Sequence, residues 1–455
     1  MAQADATLEQ ILGLLPALDE LEVLRLQLVA SAVRDPGKEW DSSSAYTTID
    51  KRLVDSDSAV RALEEARASL HAFVDELHDG LRPFFRSFYA GEMDPAAREL
   101  VVLGEKLEER GRAVGARLCY RAALTVSLPL LEKEAQVLAL RRIARVSGNL
   151  GDFHEALSYY ERSAEVARDS GNLHGEVIAR TGLGNVRMWQ GRWSDAEQHY
   201  HDALSLADGA GPGEMVLERG HLYNNLGNLT TRTQRLDESE RWFENAFRAW
   251  DTLSSPVDLA VCHAHHAHLR EAQERWDEAR RAYEAALALP TSAAIRSVIA
   301  TDFAEWWLHE GHVTPAEEWG RKAEELAIAS GSPYTIARMY HGRGNIARSR
   351  GDEDGFTLFE KALEIAREKE YPYLEAEVLV DYATLRAGNG GAEEAVAYLD
   401  RASEIFRQLG ALGDLERAQR ASAELRRANP ESTPGLPGDP PLALAGESPF
   451  AAAAD

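Results

Sequence analysis

Residues 183–203 read LGNVRMWQGRWSDAEQHYHDA, and the reading of this stretch decides the fold. Trp193, Ala196, Tyr200 and Ala203, with Leu204 and Ala207 just beyond, fall at three- and four-residue spacing. That spacing predicts a helix over 193–207, and a second helix of similar length precedes it over 176–190. Gly191-Arg192 turns the chain between the two. The small residues let two helices approach closely where ridges meet grooves, and the aromatic ring fills the space beside them.

The block returns about every 40 residues. Ala116, Ala156, Ala196, Ser239, Ala279, Ala316, Gly355 and Ala395 recur at steps of 40, 40, 43, 40, 37, 39 and 40. Four residues after each stands a usually bulky one (Tyr120, Tyr160, Tyr200, Phe243, Tyr283, Gly320, Phe359, Leu399), and three further on another small one. Glycine marks the turn upstream of several, at Gly111, Gly151, Gly191, Gly311 and Gly390. A fixed period of this size means stacked units, none of which can bury its apolar face alone. Two antiparallel helices per unit, stacked eight times, make an all-α solenoid.

The pattern resembles the tetratricopeptide repeat (TPR). Leu183, Gly184, Gly191, Trp193, Ala196, Tyr200 and Ala203 carry the likeness. It returns in Leu226, Gly227, Leu236, Ser239, Phe243 and Ala246, and again in Leu103, Gly104, Gly111, Ala116, Tyr120 and Ala123. It covers about 99–410. Repeats six and seven depart from it, with Gly320 at the aromatic position and a one-residue slip near Gly351–Gly355. The resemblance implies a right-handed superhelix of about eight helix pairs; the helical spacing of 1–98 reads as a helical N-terminal domain or cap, or equally as one or two degenerate repeats. The usual unit has about 34 residues, so the extra length adds roughly 4–5 Å to each helix. Such long units resemble those of kinesin light chains, the spindle adaptor family and bacterial Rap regulators, which bind peptides or protein domains.

The net charge of −25 disfavours nucleic acid, since phosphate binding needs a basic surface, and equally an anionic membrane surface. Only Cys119 and Cys262 are present, so no disulfide framework is expected. The start MAQADATLEQ lacks a basic segment before an apolar core, and no apolar stretch is long enough to span a bilayer. The expectation is a cytoplasmic protein. Within 1–98, helical spacing runs through about Ala32 and resumes over 59–89. Residues 411–428 read as a closing helix, and the Pro/Gly/Ala-rich 429–455 as a disordered tail in which Leu442, Leu444 and Phe450 are the one candidate docking motif.

The resemblance also places the first helix of each pair on a concave face. Residues at fixed offsets from Leu-Gly then line a groove: Arg141, Arg142, Arg145, Thr181, Asn185, Asn224, Asn225, Asn228, His265, His268, Asp302, Glu305, His341, Asn345 and Arg348, with Asp381 and Thr384 beyond. An asparagine amide donates and accepts, so a row of them suits an extended peptide backbone. The arginine cluster at one end fits a carboxylate, while Asp302 and Glu305 favour a basic group. The structural alternative is that the asparagines bridge helices and the arginines pair with acidic neighbours.

Other motifs carry less. The cluster Cys262-His263-Ala264-His265-His266-Ala267-His268 is split by His266, which takes the Leu position of the signature, so no metal is expected. Trp189, Trp306 and Trp307 are candidate interface anchors with core packing as the plainer role. Gly182-Leu183-Gly184 and Gly342-Arg343-Gly344 lie inside helices and are no phosphate loop. No nucleophile–base pair stands out, so neither a cofactor nor a reaction is expected. The sequence points to a protein-interaction module that takes a peptide or protein partner, or else a peptide-switched regulator resembling the Rap group.

Overall fold

The computed structural model describes residues 83–84, 86–87, 90, 92–109, 113–127, 133–211 and 213–428. The readings of residues 1–82 and of the tail 429–455, with Leu442, Leu444 and Phe450, lie outside them. The described residues form helices joined by short turns, with no strand among them. In chain order the helices are α1 (Met93–Glu109), α2 (Ala113–Ser127), α3 (Lys133–Asn149), α4 (Phe153–Asp169), α5 (Leu173–Trp189) and α6 (Trp193–Gly209). They continue as α7 (Val216–Arg232), α8 (Leu236–Leu253), α9 (Pro256–Ala272), α10 (Trp276–Ala288), α11 (Ala293–His309) and α12 (Val313–Ser330). The last are α13 (Pro333–Arg350), α14 (Asp354–Glu368), α15 (Pro372–Gly388), α16 (Ala392–Leu409) and α17 (Leu412–Ala428). Among the described residues these helices follow one another as eight consecutive pairs and a final single helix. The chain divides into two compact units that part between Val146 and Ser147.

Each helix starts and stops for a local reason. Asn172 accepts a hydrogen bond from the Gly175 amide at 2.8 Å and caps α5. Pro256, Pro333 and Pro372 open α9, α13 and α15, where a missing N–H costs nothing. Gly191 turns α5 into α6 with φ +69°, a left-handed conformation that other residues resist.

The Leu-Gly pair has a direct physical meaning. A Cβ on Gly184 would sit 2.4 Å from the Tyr200 ring, and one on Gly182 would sit 2.3 Å from the Tyr160 ring. The α5 backbone is thus clasped between the aromatics of α4 and α6. Gly227 meets Phe243 and Gly344 meets Phe359 in the same way, and in the first unit Gly104 meets Tyr120. Every ring-on-glycine contact replaces a side chain with a flat apolar face, which is why small and aromatic positions alternate at fixed spacing.

The two degenerate repeats are accommodated, each differently. At Gly320 the side chain of Ile346, from the following first helix, fills the vacant place; a Cβ on Gly320 would lie 2.6 Å from Ile346 Cδ1. Trp307 and Trp319 pack around Ala304, Ala316 and Ile346 to complete that layer. The slip near Gly351–Gly355 shows as a later start: α14 begins three residues after its turn glycine, whereas α6 and α12 begin two after theirs.

The second unit does not form an openly spaced ribbon. Phe153 at the start of α4 packs edge-on to Tyr371, ring centroids 5.6 Å apart, and Trp193 lies 5.4 Å from Tyr373. Gly191 presses against Leu409 and Pro372, and Gly413 against Gln234. The ribbon of helix pairs therefore coils until the loops of its late pairs rest on the turns of its early ones. Glycine at positions 151 and 191 and a tyrosine at 371 and 373 make that approach close.

Candidate functional site

Within the second unit the first helices of successive pairs carry the sequence-derived polar residues. In the second unit the row is a chain of hydrogen bonds running from helix to helix. Asn185 on α5 accepts from the Tyr200 hydroxyl and from the Asn225 amide, both at 2.8 Å. Asn224, next to Asn225 on α7, meets His265 Nδ1 of α9 at 3.2 Å. His268, one turn along α9, bonds Asp302 of α11 at 3.1 Å. Asp302 takes the Arg338 guanidinium of α13 at 2.5 Å, and Arg338 also reaches Glu305 at 3.0 Å. His341 bonds Asp381 of α15 at 2.8 Å, and Asn345 donates to the same carboxylate at 3.0 Å. Arg348 bonds Asn345 at 3.2 Å.

The basic group expected for Asp302 and Glu305 is thus supplied by Arg338 of the chain itself. In the first unit Arg142 pairs with Glu105, and Arg145 with Glu108 at 2.6 Å, so these two arginines are met by carboxylates one repeat earlier. Arg141 also has a partner. Thr181 and Thr384 turn their hydroxyls back to helix carbonyls of Val177 and Val380. Asn228 differs from its equivalents: it is half-buried and its side chain makes no hydrogen bond to the described residues.

Electrostatics follow the pairing. Burial works against the Asp302 charge, but Arg338 and His268 hold its carboxyl well below the usual carboxylate range. His268 and His341 are pulled the other way by their carboxylates: despite burial, Asp302 raises the first and Asp381 with Glu305 the second. His265 lacks such a partner and is pushed down to about 3 by burial, with His268 and Arg232 adding to the shift. It is a neutral ring between two polar helices. Burial pushes Glu271 up to about 7, and the Tyr283 hydroxyl bonds it at 3.1 Å.

The histidine cluster divides in two, as the helical register requires. His265 and His268 belong to the wall, whereas His266 packs against Phe243 and Phe247, with centroids at 5.6 and 5.3 Å. Of the three candidate tryptophans Trp306 is buried, and Trp189 and Trp307 are half-buried and packed against aromatic neighbours. Trp306 donates to the Trp276 carbonyl at 3.1 Å, Trp307 lies against Phe303, and Trp189 stacks on Phe153. Both cysteines are buried, and burial raises each thiol, Cys119 to about 12.

Sequence reasoning missed Arg232, Arg338, Tyr373 and Glu377. Arg338 stands seven residues before Asn345 and three before His341, and Arg232 four after Asn228. Extending the inner face by one helical turn would have found both.

Glycine-on-ring packing repeated from pair to pair, together with polar first helices, defines a tetratricopeptide-repeat protein. A family model for the MalT-like TPR region matches residues 109–412, and the chain belongs to that family. Among curated proteins, the photosystem I assembly protein Ycf3 of Prochlorococcus marinus (strain NATL1A) is 28% identical over 125 residues, 27% of this chain and 68% of that one. Among solved structures, the apo form of the quorum sensor NprR from B. thuringiensis is 15% identical, with a TM-score of 0.43 over 74% of this chain and 98% of that chain. A Rap protein complexed with competence and sporulation factor is 12% identical, with a TM-score of 0.46 over 74% and 99%. No helix among the described residues is long and apolar enough to cross a membrane.

Proposed function

We propose that the protein is a non-catalytic interaction module of the cytoplasm that holds an extended peptide segment of a partner along the polar wall of its first helices, with residues 1–98 as a cap. One observation carries this reading: the wall is lined by amide, imidazole and guanidinium groups from consecutive helices, and Asn228 stands in that row without a partner of its own. A half-buried amide with no side-chain partner among the described residues has both its donors and its acceptor available to a peptide backbone. The closed coil favours a narrow, extended occupant over a folded domain, because Leu409 and Tyr373 close over the turns at Gly191 and Trp193. Partners enriched on the immobilised chain test the idea when challenged with two variants. Asn228→Ala should lose them, and Glu244→Ala, on the exposed side of α8, should keep them. Equal retention by both would place the contact surface elsewhere.

The edge contacts between early turns and late loops favour a second reading, a peptide-switched regulator in which occupancy of the wall alters the closure. Small-angle scattering separates the two. A radius of gyration that shifts on adding an enriched peptide supports the switch, and an unchanged one supports the scaffold.

A further inference from the structure

From α6 onward, two positions recur at each junction between one helix pair and the next. One follows the second small residue of a second helix. The other is the Leu of the Leu-Gly pair on the first helix that comes after. Leu204 and Leu226 fill them between α6 and α7, in one apolar cluster, and Leu287 and Phe303 do so between α10 and α11. Phe247 meets His266 with ring centroids 5.3 Å apart, and Glu324 pairs with Arg343. Leu363 and Tyr382, both buried, hold the places between α14 and α15. Between α16 and α17 the two residues are Ser403 and Ser422.

Two serines cannot fill what two large side chains fill elsewhere. A cavity of about 380 Å³ lies between these helices, lined by Asp400, Ser403, Arg407, Gln419, Ser422 and Arg426. Ser403 is 5% exposed and Ser422 2%, so both belong to its floor. Ser422 donates to Asp400 at 2.9 Å, and Arg426 pairs with the same carboxylate at 2.5 Å. Arg407 pairs with Glu404 on its own helix. The Ser403 hydroxyl is buried and has no hydrogen-bond partner among the described residues. A hydroxyl so withdrawn from water costs free energy until something bonds it. Packing does not call for it either, since four of the equivalent residues are Leu or Phe.

The remaining capacity of the cavity is one-sided. Asp400, the carboxylate of its lining, already takes two donors. What is left is the unused N–H groups of two guanidinium forks, the Gln419 amide and the Ser403 hydroxyl. Such a set suits a ligand that brings several oxygens and negative charge. The three terminal oxygens of a phosphoryl group point in different directions and can meet two guanidinium groups and a hydroxyl together. The volume is that of a small-molecule site, more than a bare ion occupies.

We propose that the cavity between α16 and α17 binds a small phosphorylated molecule, its phosphoryl oxygens held by Arg407, Arg426 and the Ser403 hydroxyl. None of its residues belongs to the polar row of the wall, and the inference does not rest on the peptide-holding reading.

Isothermal titration calorimetry on the full chain tests it with O-phosphoserine, serine, inorganic phosphate and a blocked tripeptide carrying phosphoserine. Phosphoserine should bind saturably, at least about tenfold tighter than serine. Arg407→Gln should weaken it at least about tenfold. Ser403→Leu, which fills the cavity as Leu363 fills its own place, should abolish binding, and Arg248→Gln on the exposed side of α8 should change nothing. Equal or absent binding of phosphoserine and serine overturns the phosphoryl site. Inorganic phosphate as tight as phosphoserine reduces the ligand to the bare oxyanion, and a tripeptide that binds more tightly assigns the site to a phosphorylated protein segment; either overturns the small-molecule assignment. Binding that survives both Arg407→Gln and Ser403→Leu overturns the location. Should Ser403→Leu fail to fold, the Arg407→Gln titration decides the matter.

Discussion

Two asparagines at the same register have different work to do. Asn185 binds the buried Tyr200 hydroxyl and the Asn225 amide, so Asn185→Ala strands two groups inside the structure. Its cost should be about 1–3 kcal/mol in urea unfolding. Asn228→Ala strands nothing and should leave stability within about 0.5 kcal/mol of the parent. A cost at Asn228 comparable to that at Asn185 would make the row structural throughout. His266 offers a cleaner electrostatic test. It stands where the repeat calls for leucine, between two phenylalanines, and burial pushes it down to about 4. A histidine with a depressed folded pKa stays neutral in the fold while the unfolded chain protonates. The fold therefore loses stability as pH falls from about 6.5 toward 4. His266→Leu removes that loss. Relative to the parent, it should gain about 2 kcal/mol more at pH 5 than at pH 8 in chemical denaturation.

At the scale of the helix, the sequence was most legible where apolar periodicity and the glycine signals coincide. Helix 193–207 is found as Trp193–Gly209, and the helix expected over 176–190 as Leu173–Trp189. Ring-on-glycine packing explains why the signature is so readable: each partner has little chemical alternative. Where the signature fails, the compensation comes from a residue a repeat away, and no local pattern announces it. Ile346 in the place left by Gly320 is the example. Gly320→Tyr, which restores the usual residue, should therefore overpack the layer and cost about 1–3 kcal/mol. Combined with Ile346→Ala it should recover most of that loss, and a strictly additive double-mutant cycle would refute the substitution of one bulk for the other. The wall was legible as a list of positions because the Leu-Gly offset fixes a face. Its pairing was not, since His268–Asp302 and Arg338–Asp302 depend on how far one helix is shifted against the next.

Over the second unit as a whole, contacts between residues some two hundred positions apart were invisible to a nearest-neighbour reading of the repeats. Gly191 tests them. It adopts φ +69°, and a Cβ there would lie 2.1 Å from Leu409 Cδ2 and 3.1 Å from Pro372. Gly311 has a comparable φ of +80° with nothing within 4 Å. Both Gly191→Ala and Gly311→Ala strain the turn, but only the first should raise hydrogen exchange at 405–413. Matching exchange in the two variants would mean that the edges are not pressed together in solution.

That closure also sets a limit on how such a chain can change length over evolution. In an open stack, one unit more or fewer merely extends or trims an end. Here, inserting a unit between α6 and α15 would carry Leu409 and Tyr373 past Gly191 and Trp193, and the two edges would meet with the wrong residues opposed. The number of units between them is as much a determinant of this architecture as any side chain, so duplication or loss of a middle unit should be far less tolerated than changes at either terminus.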